Sequence, residues 1–164
     1  MILGLSVQAF VALHVAISLI GIASGLIALP AMIAGRYLKI TTAIFLLFTA
    51  LTSLTGFLFP FTGFTPALGF GVISTIDLIV AAVALYVVKL QGRSRITYVV
   101  TATIALYLNL FVLVVQSFLK VPALNALAPT GTEPPFAAAQ AIVLIANIAL
   151  GYFIATRFRP AALA

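Results

Sequence analysis

Apolar residues in this chain come in five long runs, at about 6–34, 40–60, 67–88, 96–118 and 135–156. A helix that crosses a bilayer needs roughly 20 mainly apolar residues, and each run is long enough. Spanning β-strands would be nearer ten residues with strict alternation, and no such alternation is present. The pattern therefore predicts an all-α fold: a polytopic transmembrane helical bundle with five spans. One domain over 1–164 suits this length.

The gaps between the runs are built from chain breakers and bases. Arg36-Tyr37-Leu38-Lys39 is the first gap, and Phe61-Thr62-Gly63-Phe64-Thr65-Pro66 is the second, with Pro60 before it. Lys89-Leu90-Gln91-Gly92-Arg93-Ser94-Arg95 is the third. The fourth is a long outer loop over 119–135, punctuated by Pro122, Pro129, Gly131, Pro134 and Pro135. The first run is longer than a span requires: Ile2 to Ala34 would make about 50 Å of helix against a hydrocarbon core of about 30 Å. It is expected to tilt or to start in the outer interface, with a kink at Pro30.

Composition agrees with the pattern. Apolar residues make up 65% and charged residues 6% of the 164, whereas a soluble domain carries about 25% charged residues. Most of the surface must therefore face lipid. The net charge of +6 does not form the single basic patch that nucleic acid requires. Arg36, Lys39, Lys89, Arg93, Arg95, Arg157 and Arg159 fall on one side of the predicted topology, and Lys120 alone on the other. By the positive-inside rule, the N-terminus is expected outside and the C-terminus in the cytoplasm. Tyr37, Tyr86, Tyr98 and Tyr152 lie near the basic ends as an interfacial belt would. Phe57, Phe59, Phe61 and Phe64 crowd the outer turn as lipid or packing contacts. Met1-Ile2-Leu3-Gly4 carries no basic n-region, so the first span is expected to be retained.

Because lipid-facing positions should be apolar, polar residues mark the protein-facing side of each helix. The first span carries His14, Ser18, Gly21, Gly25 and Ala28 on one stripe. Gly21 and Gly25 form a small-residue motif that lets helices approach closely; close packing is the first reading and self-association the second. The second span offers Thr42, Thr49, Thr52, Ser53 and Gly56. In the third, Asp77 sits at mid-run on a face with Ser74, Ala81 and Ala84. A charge at that depth costs roughly 2.5–3.5 kcal/mol, and no base lies level with it.

Asn109 and Gln116 are seven apart on span four, and Gln140 and Asn147 are seven apart on span five. For antiparallel helices, both pairs fall level if the connecting turn centres near residue 128. This predicts a short amide ladder between neighbouring helices. The same arithmetic puts Asp77 level with Asn109 and Thr49. The expected binding layer at mid-membrane is thus Asp77, Asn109, Asn147 and Thr49. An outer polar layer would hold His14, Gln116 and Gln140. His14 lies about 18 Å from Asp77 in depth, too far for a direct pair.

Chemistry is sparse. With no cysteine and one histidine, thiolate sites, bis-histidine haem and multi-histidine zinc within one chain are excluded. Hydrolysis or group transfer needs a nucleophile with a base, or a metal cluster. Asp77, His14 and Glu133 have no local partner set for either, so no catalytic or metal residue is assigned, and the cofactor is left open. Glu133, in Thr130-Gly131-Thr132-Glu133-Pro134-Pro135, reads as a helix entry.

Several segments carry a resemblance. Thr55-Gly56-Phe57-Leu58-Phe59-Pro60-Phe61, Phe64-Thr65-Pro66-Ala67 and Ala105-Leu106-Tyr107-Leu108-Asn109-Leu110-Phe111-Val112-Leu113-Val114-Val115-Gln116 are three of them. With Leu119-Lys120-Val121-Pro122-Ala123-Leu124-Asn125-Ala126-Leu127-Ala128-Pro129-Thr130 and Glu133-Pro134-Pro135-Phe136, they are similar to a small polytopic inner-membrane protein family of proteobacteria. The resemblance covers roughly residues 50 to 155. That family has no assigned activity, so the resemblance implies a bacterial inner-membrane location and carries over no site residue. The function expected from the residues is small-molecule or ion binding or transport through the polar mid-membrane layer. The alternative is a non-catalytic accessory or structural subunit of a membrane complex. The expected partners are the lipid bilayer and either a second copy of the chain or a membrane-complex partner, with no nucleic acid.

Overall fold

The computed structural model describes residues 1–61, 63 and 65–159. Phe64, one of the rings assigned to the outer turn, lies outside the described residues. Five helices are long and apolar enough to cross a membrane: α1 (Val7–Ile33), α2 (Lys39–Gly56), α3 (Pro66–Ala82, extended as a span to Val87 by a π-turn), α4 (Ser94–Lys120) and α6 (Pro134–Arg157). A sixth, α5 (Pro122–Leu127), is a short helix within the outer loop.

The helix boundaries have local causes. Ser6 caps α1 by accepting from the Ala9 N–H at 3.2 Å. The residues before it make a small turn closed by Ile2 and Leu5, so the long first run is shortened at its start. Pro30 lies in the last turn of α1, where its missing N–H removes one bond and the helix ends at Ile33. Gly35 then takes φ +71°, the left-handed conformation that closes helices. Helix α2 stops at Gly56, four residues before the predicted end at residue 60. Leu58 and Phe59 donate to Thr55 and Gly56 in three-residue turns, because Phe59 precedes Pro60 and is disfavoured in helical backbone. Thr65 caps α3 by accepting from the Leu68 N–H at 3.2 Å, with Pro66 in the first position.

Helix α3 continues into a π-turn at Val83–Val87, and Lys89 and Leu90 then reverse the chain at φ 52° and 58°. Between α4 and α6, Pro122 opens α5, and the Asn125 amide donates to the Phe118 carbonyl at 3.1 Å. The predicted open loop is therefore partly folded back on α4. Glu133 is the N-cap residue of α6, with Pro134 and Pro135 following. Its carboxylate turns back to accept from the Thr130 N–H and hydroxyl at 3.0 and 2.9 Å, and from the Thr132 N–H at 3.0 Å.

Helix α4 is the centre of the bundle. It touches α1, α2, α3 and α6, while α1 packs chiefly along α2, and α6 chiefly along α4. Because successive spans alternate in direction, Arg36, Lys39, Lys89, Arg93, Arg95, Arg157 and Arg159 share one end of the bundle, called here the basic end, and Lys120 marks the other. The packed core lies toward the basic end: Leu29, Met32, Phe45, Ala81, Leu85, Ala102, Leu106 and Ile154 are buried there together. Tyr98 belongs to this core and is fully buried, unlike the interfacial position read from the sequence. Tyr86 and Tyr152 are exposed. Burial pushes the Tyr37 phenol, in the turn before α2, up to about 12, and the nearby Tyr86 adds to this.

Gly21 and Gly25 are used inside the molecule. A Cβ on Gly21 would sit 3.3 Å from the Thr49 backbone nitrogen, and one on Gly25 would sit 2.8 Å from the Phe45 ring. The small-residue motif thus seats α1 on α2.

Candidate functional site

The half of the bundle away from the basic end, called here the outer half, is open where the half at the basic end, the inner half, is packed. Helices α1 to α4 enclose a cavity of about 560 Å³ there. It arises because α1 holds α2 tightly, while α2 and α4 barely touch. Val11, Val15, Leu19 and Ile22 of α1 form one wall, and Phe57, Phe59, Phe61 and Phe70 supply rings on the α2–α3 side. The α4 wall carries Asn109, Val112, Leu113, Gln116, Ser117 and Lys120. Cavities of this size, apolar with a few polar groups, are the usual form of small-molecule sites.

The polar groups differ with depth. At the deep end they bond to one another across helices. The Asn109 amide donates to the Thr49 hydroxyl at 3.1 Å, and the Ser53 hydroxyl donates to Ser74 at 3.0 Å. Nearer the mouth, His14 Nδ1 meets Thr55 Oγ1 at 2.8 Å. The Thr55 hydroxyl also reaches the Leu51 carbonyl at 2.7 Å, and with its hydrogen there the His14 Nδ1–H is the donor. Phe59 meets the same ring edge-on, with centroids 5.3 Å apart. Ser117 donates to the Leu113 carbonyl at 2.7 Å. The side chains of Gln116 and Lys120 make no hydrogen bond or ion pair among the described residues, and both are exposed.

Of the layer predicted at mid-membrane, the structure joins Thr49 and Asn109. Asp77 is not hydrogen-bonded to either, and its Oδ2 is buried without a partner among the described residues. The stacked rings of Phe70 and Phe111, 5.1 Å apart, centre the α3–α4 pair near residue 91. This sets Asp77 about a turn closer to the basic end than Asn109. The early reversal at Lys89 and Leu90, after the π-turn, accounts for the offset.

Asn147 donates to the Val143 carbonyl of its own helix at 2.9 Å and lies in a shallow groove with Thr103, Tyr107 and Gly151. Gln140 donates to the Phe111 carbonyl at 3.2 Å. Neither faces the cavity, and the predicted amide ladder does not form. A Cβ on Gly151 would meet Thr103 at 3.3 Å, so the α4–α6 turn centres near residue 127, close to the predicted 128. The depth matches, but Asn109 faces α2 while Asn147 faces the other side of α4. Of the predicted outer layer, His14 and Gln116 line the cavity and Gln140 does not.

The sequence pattern marks Lys120 only as a topological charge, and the structure adds it to the cavity wall. A signal for it was present: Gln116 and Lys120 are four apart, hence neighbours on one helix face, and Asn109 shares that face. Among the described residues no three His, Cys, Asp or Glu side chains gather as metal ligands would. Compared with protein-family models, curated proteins and solved structures, the chain matches none.

Proposed function

We propose that this multi-pass membrane protein binds a small amphipathic molecule in its outer-half cavity. The single observation that carries the reading is the cavity itself: about 560 Å³, walled by four helices, mostly apolar, with polar groups at defined depths. The packed inner half supports reception of a guest from the outer side. The similarity of residues 50 to 155 to a proteobacterial inner-membrane family supports a bacterial inner membrane as the location. The excess of bases at one end supports an outside N-terminus and a cytoplasmic C-terminus.

Native mass spectrometry of the protein released from mild detergent tests the reading. The expected result is a retained non-protein mass that is lost in Val112→Trp, which fills the cavity from α4. A bare monomer in both proteins would count against binding. A second reading, an accessory subunit, is favoured by α6, on which only Asn147 and Ile154 are buried. The same spectrum would then show a second polypeptide in fixed ratio.

A further inference from the structure

We infer that the guest of this cavity is a single-chain amphiphile with an anionic head, carboxylate or phosphate, held at the mouth by Lys120 and Gln116. The inference rests on the cavity being a binding site and adds the chemistry of its occupant.

Two independent features converge on it. The first is where uncommitted donors lie. At the deep end Asn109 is bonded to Thr49, and Ser53 to Ser74; near the mouth Ser117 is bonded to its own helix. Gln116 and Lys120 are the polar wall side chains that make no hydrogen bond at all among the described residues, and they lie one helical turn apart on the same face of α4. A polar head would find its donors there. The apolar wall runs inward from them, and Asn109 lies about 16 Å deeper than Lys120 along α4. The head therefore sits at the mouth and the chain points to mid-membrane.

The second feature is charge. The chain has two acids, Asp77 and Glu133. Asp77 is not part of the cavity wall. Glu133 accepts from Thr130 and Thr132 in the loop before α6. Lys120 is thus the one formal charge on the cavity wall among the described residues, and no carboxylate lies on that wall with it. An anion entering this mouth meets an unpaired ammonium; a cation meets repulsion, and a neutral head gains only the amide.

The full-length protein in mild non-ionic detergent would be titrated with three probes of equal chain length: a fatty acid, an alkyl phosphate monoester and a fatty alcohol. Both anions are expected to bind about fivefold or more tighter than the alcohol, the scale of one partly exposed charge pair. Lys120→Gln should bring the anions to the alcohol's affinity without changing the alcohol's own, and Lys120→Arg should keep the preference. Val112→Trp should abolish saturable binding of all three, which separates the cavity from partition into the micelle. A preference for one anion over the other upholds the inference and selects the head group. Equal affinity for alcohol and anions, or an anion preference that survives Lys120→Gln, would overturn it while leaving the cavity reading intact. Absence of saturable binding by any probe would overturn the cavity reading itself.

Discussion

At the basic end of the bundle, Phe45, Leu29, Met32, Ala102 and Leu106 are buried among one another. At the opposite end α1 to α4 splay around a cavity, and the rings there stand on its wall. Both halves are built from similar residues, so apolar content does not separate them. What differs is the size of the side chains at the contacts. Inner contacts use Gly25, Ala81, Ala84, Ala102 and Ala105, which bring backbones together; with lipid as the solvent, helix association depends on such close packing. Outer contacts use Phe57, Phe59 and Phe70, which hold helices apart.

Five substitutions sharpen the contrast. The largest effect is expected from Phe45→Ala, which empties a fully buried position and should cost about 3 kcal/mol in detergent unfolding. Phe57→Ala, beside existing space, should cost less than half of that. Equal losses would mean that the two halves are equally packed. Next come the glycines. Gly25→Ala places a Cβ 2.8 Å from the buried Phe45 ring and 3.0 Å from Leu106, and should cost about 1–3 kcal/mol through overpacking. Gly71→Ala meets Phe57 at 2.9 Å, but that ring has the cavity to swing into, so the loss should stay below about 1 kcal/mol. A larger loss at Gly71 would show that the outer half is rigid. The smallest effect is expected from Asn109→Leu, which removes the bond to Thr49. Interhelical polar contacts contribute about 0.6 kcal/mol on average, so thermal stability should barely move. A loss above about 2 kcal/mol would make that pair a structural centre of the fold.

The spans were legible in the sequence because length and apolarity alone demand them. Most turns were legible too, through Gly35, Pro60, Pro66, Gly92 and Pro122. Depth was readable by counting residues from the turns: Thr49 does meet Asn109, and the α4–α6 register centres within about a residue of the expected place. Rotation about each helix axis was much harder to read. In a soluble helix, the polar stripe shows which side faces water. Here lipid and protein neighbours are both apolar, so the face is marked by a few polar residues, and each has a choice of neighbour. Asn147 illustrates the problem. It lies at a depth suited to Asn109, yet it points across α4 from it and bonds its own helix. The cavity was not legible for a related reason. It comes from the divergence of α2 and α4, which depends on the sizes of side chains brought together from distant parts of the chain.

Arg95 adds a temporal dimension to this architecture. Its guanidinium donates to the carbonyls of Ala155 and Phe158 at 2.9 and 2.7 Å, tying the start of α4 to the last turn of α6. These acceptors are 60 and 63 residues further along the chain, so during synthesis the donor waits while α4, the outer loop and α6 are made. The two bonds cannot form until the chain has reached Phe158, just past the end of α6. The contact that ties off the basic end is therefore the last to become available, and it comes from the spanning helix that contributes least to the core.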